Sequence, residues 1–322
     1  MHRVRISSVG LYLPPQVQTA AELAPIIGRS ERWILKRTGV VERRIATEPM
    51  DVIGAAAARE ALGDGPPPDC IINASITPLQ LIPDSSTYIQ RELGYEGIPS
   101  WTLAGNCLSF SIALMNAASL IASGVYRRIL IVSAETGTPW RYFKEAESAA
   151  LFGDGAAAVV VEPATEEQGS AILDWQMGTW PEGADLTSFP GAGTRHPPGH
   201  PQLTKPEDNY FHMKGPAVFR LARHKVTEIL NPIWERNGIT AKDVDWLILH
   251  QASARAVAAA EAYGFDMNRV VNVVNKVGNC IAASVPMTLA MAERQGKLER
   301  GQTLVLGGTG AGLSVAFMLL RW

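Results

Sequence analysis

Cysteine is scarce in this chain: of 322 residues only Cys70, Cys107 and Cys280 carry a thiol. No two of them form a CxxC pair, and three are too few for a disulfide framework, so a reduced, cytoplasmic chain is expected. An excess of one charge is also missing. Lys and Arg number 29 against 31 Asp and Glu, and the pI is near 6.3. That leaves no basic footprint for nucleic acid, which is excluded as an expected partner. The opening "MHRVRISSVGLYLPP" has neither a continuous apolar core nor a small-residue cleavage site, so no signal peptide is expected. One long apolar run exists, "CLSFSIALMNAASLIASGV", rich in Ala and Ser and carrying Asn116. A single such run in an otherwise globular chain reads as a core helix, so no membrane partner is expected.

What is present is a repeat. The word Gly-Asn-Cys occurs at Gly105–Cys107 and again at Gly278–Cys280. After the first come a helical stretch, a basic turn, the strand-like "ILIVSAE" and then "FGDGAAAVVVEP". After the second come "SVPMTLAMAERQG", the turn "KLERGQ", "TLVLGG" and "TGAGLSVAFMLLRW". Upstream of each lies a short apolar run after an Asp, "PDCIINASIT" and "VDWLILHQAS". Length and flanks suit buried parallel strands. The order in each half is helix, strand, helix, strand, helix, strand, strand, which implies sheets flanked by helices. Two halves are expected, 1–165 and 166–322, meeting at the polar "EPATEEQGS". The second half enters through "AVFRLARHKVTEILNPIWERNGIT", apolar at helical spacing, with Pro232 expected to kink or interrupt the helix. The Pro- and Gly-rich stretch 181–209 reads as a loop or lid. Prolines between His196 and His200 forbid a metal-binding helix face there, and no metal is expected.

Three polar residues stand at element ends. Cys107 lies at a strand-to-helix turn, where a positive helix end would lower a thiol's pKa and make it nucleophilic; alternatively it is a buried structural cysteine. His250 ends the strand "WLIL", where ligands collect in open α/β sheets, or it is a structural histidine. Asn279 precedes the second-repeat helix, where Asn can be merely an N-cap. Taken together they form a nucleophile with polar partners, brought to one joint by pseudo-symmetry. On this reading Cys280 is small core packing, and Asn106 is background to Cys107.

The ordered set "ERWILKRTGVVERRIA", "FGDGAAAVVV", "HMKGPAVF", "HQAS", "GNCIAAS-VP" and "GAGLSVAFMLLRW" resembles the β-ketoacyl-acyl-carrier-protein synthase III family over essentially the whole chain. The resemblance implies a thiolase-like duplicated α/β fold of two pseudo-symmetric halves in five layers, α-β-α-β-α. It implies acyl transfer to Cys107, then decarboxylative Claisen condensation with a malonyl thioester to a 3-oxoacyl product. His250 and Asn279 would hold the thioester oxygen of the second substrate. The backbone N–H groups of Cys107 and Ala311 would form the oxyanion hole. Trp33, Arg37, Gly215 and Ser253 would bind the coenzyme A or pantetheine arm. Ile82 would enter the acyl pocket of a partner subunit, and Arg220 and Arg255 would meet an acyl carrier protein. Partners so implied are the carrier protein and a second copy in a homodimer. No cofactor is implied beyond the acyl thioesters used as substrates.

The sequence departs from the family pattern at four places. Ser253 replaces the Asn of "HQAN", Pro216 replaces the Asn after the "M.G" word, and Leu108 and Ser109 follow the nucleophile. Leu108 and Ser109 are expected to reshape the pocket floor. These changes suggest a specialised relative, and keep open an alternative: a same-fold acyltransferase passing its acyl group to a hydroxyl or amine without decarboxylation. A thiolase proper is set aside, because "LGGTGAGLS" lacks a second cysteine. A non-catalytic partner subunit is disfavoured by the retained Cys107, His250 and Asn279.

Overall fold

The computed structural model describes all 322 residues. The first half runs β1 (Val4–Tyr12), β2 (Gln16–Thr19), α1 (Ala20–Ile26), α2 (Glu31–Thr38), β3 (Glu42–Ile45), α3 (Met50–Leu62), β4 (Cys70–Asn73), α4 (Ser85–Leu93), β5 (Ser100–Thr102), α5 (Ser109–Ala122), β6 (Ile129–Glu135), α6 (Ala146–Ala149) and β7 (Gly155–Pro163). The second runs β8 (Ala171–Thr179), β9 (Thr187–Ser188), β10 (His212–Met213), α7 (Gly215–Asn237), β11 (Trp246–Leu249), α8 (Ala254–Ala258), α9 (Val274–Val277), α10 (Ser284–Arg294), β12 (Thr303–Gly310) and β13 (Ser314–Arg321).

The duplication is visible in the strand order. One sheet is β1-β7-β6-β4-β5 and the other is β8-β13-β12-β11, so the four shared positions follow the same path. Directions match too. β4 and β6 are parallel, as are β11 and β12, while β6–β7 and β12–β13 are antiparallel. The match ends at β5. Its counterpart, expected between α8 and α10, is reduced to one bridge between Leu247 and Val270.

Helices α5 and α10 form the middle layer, each packing against strands of both sheets. All seven residues of β6 are buried, as is most of β7, which suits strands covered on both faces. The long apolar run is α5, and Ala113, Ala117 and Ala118 on it are fully buried in the core shared by the two halves. No helix is long and apolar enough to cross a membrane. Helix α3 covers the outer face of the first sheet, and α7 covers that of the second. Pro232 does not interrupt α7, which continues to Asn237 and stops at left-handed Gly238. Ile229, Leu230 and Ile233 are buried around it. Their packing holds the helix together across the one backbone hydrogen bond that the proline removes.

Candidate active site

The Cys107 turn is tied to itself. The Ser109 hydroxyl donates to the Asn106 carbonyl at 2.7 Å and accepts the Gly105 N–H at 2.9 Å. Asn106 adopts a left-handed backbone, φ 54°, a conformation Asn tolerates better than most residues. Its Nδ2 donates to the Ala311 carbonyl at 3.3 Å. Asn106 is therefore not background: it shapes the turn and links it to the opposite half. Leu108 and Ser109 are both fully buried. Leu108 lies against Gly310, and the Ser109 hydroxyl works within the turn.

The expected lowering of the Cys107 pKa is overturned. Burial pushes the thiol up to about 12, and the nearby Glu135 carboxylate adds to the rise. The N–H groups of Ala311 and of Cys107 itself face the sulfur and pull the other way, without prevailing. Loss of hydration outweighs the helix end, and the neighbouring negative charge adds to it.

His250 extends the pairing of β11, its N–H reaching the Gly307 carbonyl at 2.9 Å. Gln251 pins the strand end. Its Oε1 accepts the Val273 and Val274 N–H groups at 3.0 and 3.1 Å, and its Nε2 donates to the Leu249 and Val271 carbonyls. The imidazole is buried and its Nδ1 has no hydrogen-bond partner. Burial lowers its pKa to about 4, against a smaller raising contact with the Ile281 backbone, so it is neutral at pH 7.

Asn279 is fixed by its backbone, which donates to the Leu151 carbonyl at 2.8 Å and accepts from the Gly153 N–H at 3.1 Å. Its Oδ1 accepts the Ile281 N–H at 2.9 Å. That bond resembles a cap at the following turn, yet it leaves both Nδ2 hydrogens unused. Gly278 before it needs a positive φ, and a side chain there would strike the Leu151 carbonyl.

Strand β12 brings the nucleophile and the histidine together. A Cβ on Gly308 would lie 2.9 Å from the His250 Cβ, and one on Gly310 would lie 3.7 Å from the Cys107 Cβ. Residues two apart on a strand face the same side, roughly 7 Å from each other. Cys107 and His250 therefore border one face of the end of β12.

A cavity of about 850 Å³ leads to this point, lined by Trp33, Arg37, Gly215, Ser253, His250 and Asn279 among others. Trp33 and Arg37 stand at its outer end on α2, with the Arg29 guanidinium 5.4 Å from the Trp33 ring. Gly215 begins α7, and the Ser253 hydroxyl accepts the Ala256 N–H at 3.2 Å as the cap of α8. A shallow groove of about 690 Å³ adjoins the mouth, lined by Arg220, Arg223, His224 and Arg255 among others. The Arg255 guanidinium stacks 4.5 Å from the Phe219 ring. Ile82 is 85% exposed, beside exposed Leu81.

The stretch 181–209 forms a strap. Its short strand β9 pairs with β10, and Glu145 holds β10 through the Met213 N–H at 2.9 Å and His212 at 3.1 Å. His196 contacts the Leu203 carbonyl and Asp208. No group of three or more His, Cys, Asp or Glu converges as a metal site. Sequence reasoning missed Glu135 altogether. Its signal was a charged residue closing an otherwise apolar buried strand.

Two duplicated halves, a cysteine at a helix entry in one and a His and Asn at strand and turn ends in the other, define a thiolase-fold condensing enzyme. The family model "3-Oxoacyl-[acyl-carrier-protein (ACP)] synthase III" matches residues 103–181, and its C-terminal model matches 234–322. A β-ketoacyl-[acyl-carrier-protein] synthase III from Vibrio vulnificus is 34% identical over 325 residues, covering 99% of both chains. The crystal structure of the 3-oxoacyl-(acyl carrier protein) synthase III of Pseudomonas aeruginosa PAO1 superimposes with a TM-score of 0.90 at 32% identity, over 99% of this chain and 98% of that one. A priming β-ketosynthase of the R1128 polyketide pathway gives 0.88 at 29% identity, over 99% and 96%. The chain belongs to the β-ketoacyl-acyl-carrier-protein synthase III family. It is an acyltransferase that loads an acyl group on a cysteine and condenses it, with loss of CO₂, with a malonyl thioester.

Proposed function

We propose that Cys107 is the acyl-accepting nucleophile and that His250 and Asn279 hold the thioester oxygen of the malonyl substrate. The observation that carries this assignment is the shared border of β12: Gly308 against His250 and Gly310 against Cys107, with the Ala311 N–H facing the sulfur. The thiol and the imidazole are both neutral at pH 7. Sulfur attack on an acyl thioester therefore needs the thiol proton removed as the C–S bond forms. His250 takes that proton and passes it to the leaving thiolate of the donor, returning to its neutral form. The N–H groups of Cys107 and Ala311 receive the tetrahedral oxyanion.

In the second half-reaction the malonyl C–CO₂ bond breaks and its electrons form an enolate. One imidazole N–H of His250 and the free Nδ2 of Asn279 stabilise the enolate oxygen. The enolate carbon attacks the acyl carbonyl, the Cys107–acyl bond breaks, and the sulfur leaves as thiolate and is reprotonated. This geometry favours condensation over transfer to a hydroxyl or amine, because transfer gives the Asn279 donor nothing to stabilise.

Trp33, Arg37, Gly215 and Ser253 take the nucleotide and pantetheine portions of the thioester along the cavity. Arg220 and Arg255 meet the acidic surface of an acyl carrier protein, the substrate carrier in the relatives' names. Two copies pair as a cytoplasmic homodimer, which covers the exposed Leu81 and Ile82 and sends Ile82 into the partner's acyl pocket. Pro216 and Ser253 lack the amide side chains that usually meet the pantetheine arm, which suits a specialised role. No metal and no resident cofactor enter this scheme.

The test is intact-mass measurement after incubation with a panel of acyl-coenzyme A and acyl-carrier thioesters. A mass gain names the starter, and it is lost in Cys107→Ala. A gain that survives Cys107→Ala overturns the assignment.

A further inference from the structure

Glu135 closes β6 with no exposed surface and takes no part in the chemistry above. Its carboxylate accepts the Ile76 and Thr77 N–H groups at 2.8 and 3.0 Å, from the loop that leads on to Ile82. The Thr77 hydroxyl and the Ala282 N–H face it as well. Ala282 directly follows Ile281, whose N–H is held by Asn279. The carboxylate thus touches the loop after β4 on one side and the Asn279 turn on the other. Glu135 takes part in no salt bridge with a Lys, Arg or His.

Two titratable side chains feel its charge: Cys107 from the turn before α5, and Cys280 from the turn before α10. Asp154 adds to the effect on Cys280. The loop after β4 contributes only N–H groups and the Thr77 hydroxyl. We propose that Glu135 is a positioning residue for the condensation, clamping the Ile82 loop to the Asn279 turn. The inference rests on Cys107 being the nucleophile.

Burial favours the neutral carboxyl and its donors favour the ion; the balance leaves Glu135 at about 7. Its charge therefore changes near neutrality, where the clamp weakens as the carboxyl takes up a proton.

The test follows acyl loading by intact mass and condensation by ¹⁴CO₂ release from labelled malonyl thioester, from pH 6 to 9. Glu135→Gln removes the charge and leaves one of the two N–H groups without an acceptor. Condensation kcat should fall about 10-fold with KM little changed and loading retained. Glu135→Asp keeps the charge but shortens the reach, so condensation should stay low. If the Gln variant does not fold, Thr77→Val carries the test, and losing one donor should lower condensation kcat about 2-fold with loading retained. A folded Gln or Val variant with condensation unchanged, or with loading lost in step with condensation, overturns the proposal. A wild-type Cys107 that takes up no acyl group sinks the nucleophile assignment instead.

Discussion

The two Gly-Asn-Cys turns share a word and little else. At the first, the cysteine is half-buried with two N–H groups facing its sulfur, and the Asn is exposed and left-handed. At the second, Cys280 is fully buried with its sulfur on the Val277 carbonyl at 3.4 Å, and the Asn presents its amide to the cavity. The left-handed residue has moved as well, from Asn106 to Ile281, φ 47°, where a β-branched side chain makes it costly. An identical tripeptide therefore presents a different side chain in each half. The difference lies in where each turn meets the neighbouring strand.

Exchanging roles is the most direct way to break this contrast. Cys107→Ala should abolish the acyl-enzyme and lower 3-oxoacyl formation by roughly 10⁴- to 10⁶-fold, read by intact mass and product assay. Asn279→Ala should cost about 10²–10³ in condensation while acyl loading persists, measured as ¹⁴CO₂ release from labelled malonyl thioester against loading rate. If Asn279→Ala leaves CO₂ release intact, the donor role belongs elsewhere.

A charge comparison across the halves comes next. His250 titrates at about 4 in the fold against 6.5 when exposed, so its cation is disfavoured by folding. As pH drops below 6.5 the unfolded chain takes up the proton first, and stability is lost until pH 4, about 3 kcal/mol in all. Glu135 titrates at about 7 in the fold against 4.5, so it contributes a loss as pH rises through 4.5 to 7. His250→Asn should therefore be less destabilised on going from pH 7 to pH 4.5 than the wild type, read as urea midpoints. The smallest effect is expected at the second cysteine. Cys280→Ala should keep condensation within about 3-fold and lower stability by about 1 kcal/mol, seen as a small drop in Tm.

Much of the fold was legible because its signals are local. The apolar runs of β4, β6, β11 and β12 and the periodicity of α7 lie in short windows, and they recur in order. Two expectations turned on packing. Local propensity left Pro232 to kink or interrupt its helix, and the repeat order implied a counterpart of β5, whereas packing against the neighbouring layers decides whether a helix survives a proline and whether a segment pairs. At the site, the positions of Cys107, His250 and Asn279 at element ends could be read from the chain. The roles of Asn106, Gln251 and Glu135 could not, since their partners at Ala311, Val273 and Ile76 are remote in sequence.

The sequence by itself determined a duplicated α/β chain, its family, and which polar residues stand where strands and helices end. Hydrophobic periodicity and motif order are properties of neighbouring residues, and they survive without coordinates. Only the tertiary structure decided that the Cys107 thiol is pushed up rather than down, and that Glu135 lies close enough to cause part of that shift. Desolvation and Coulomb interaction depend on distance in space. The fold sets that distance by bringing β6, the two turns and β12 to one point.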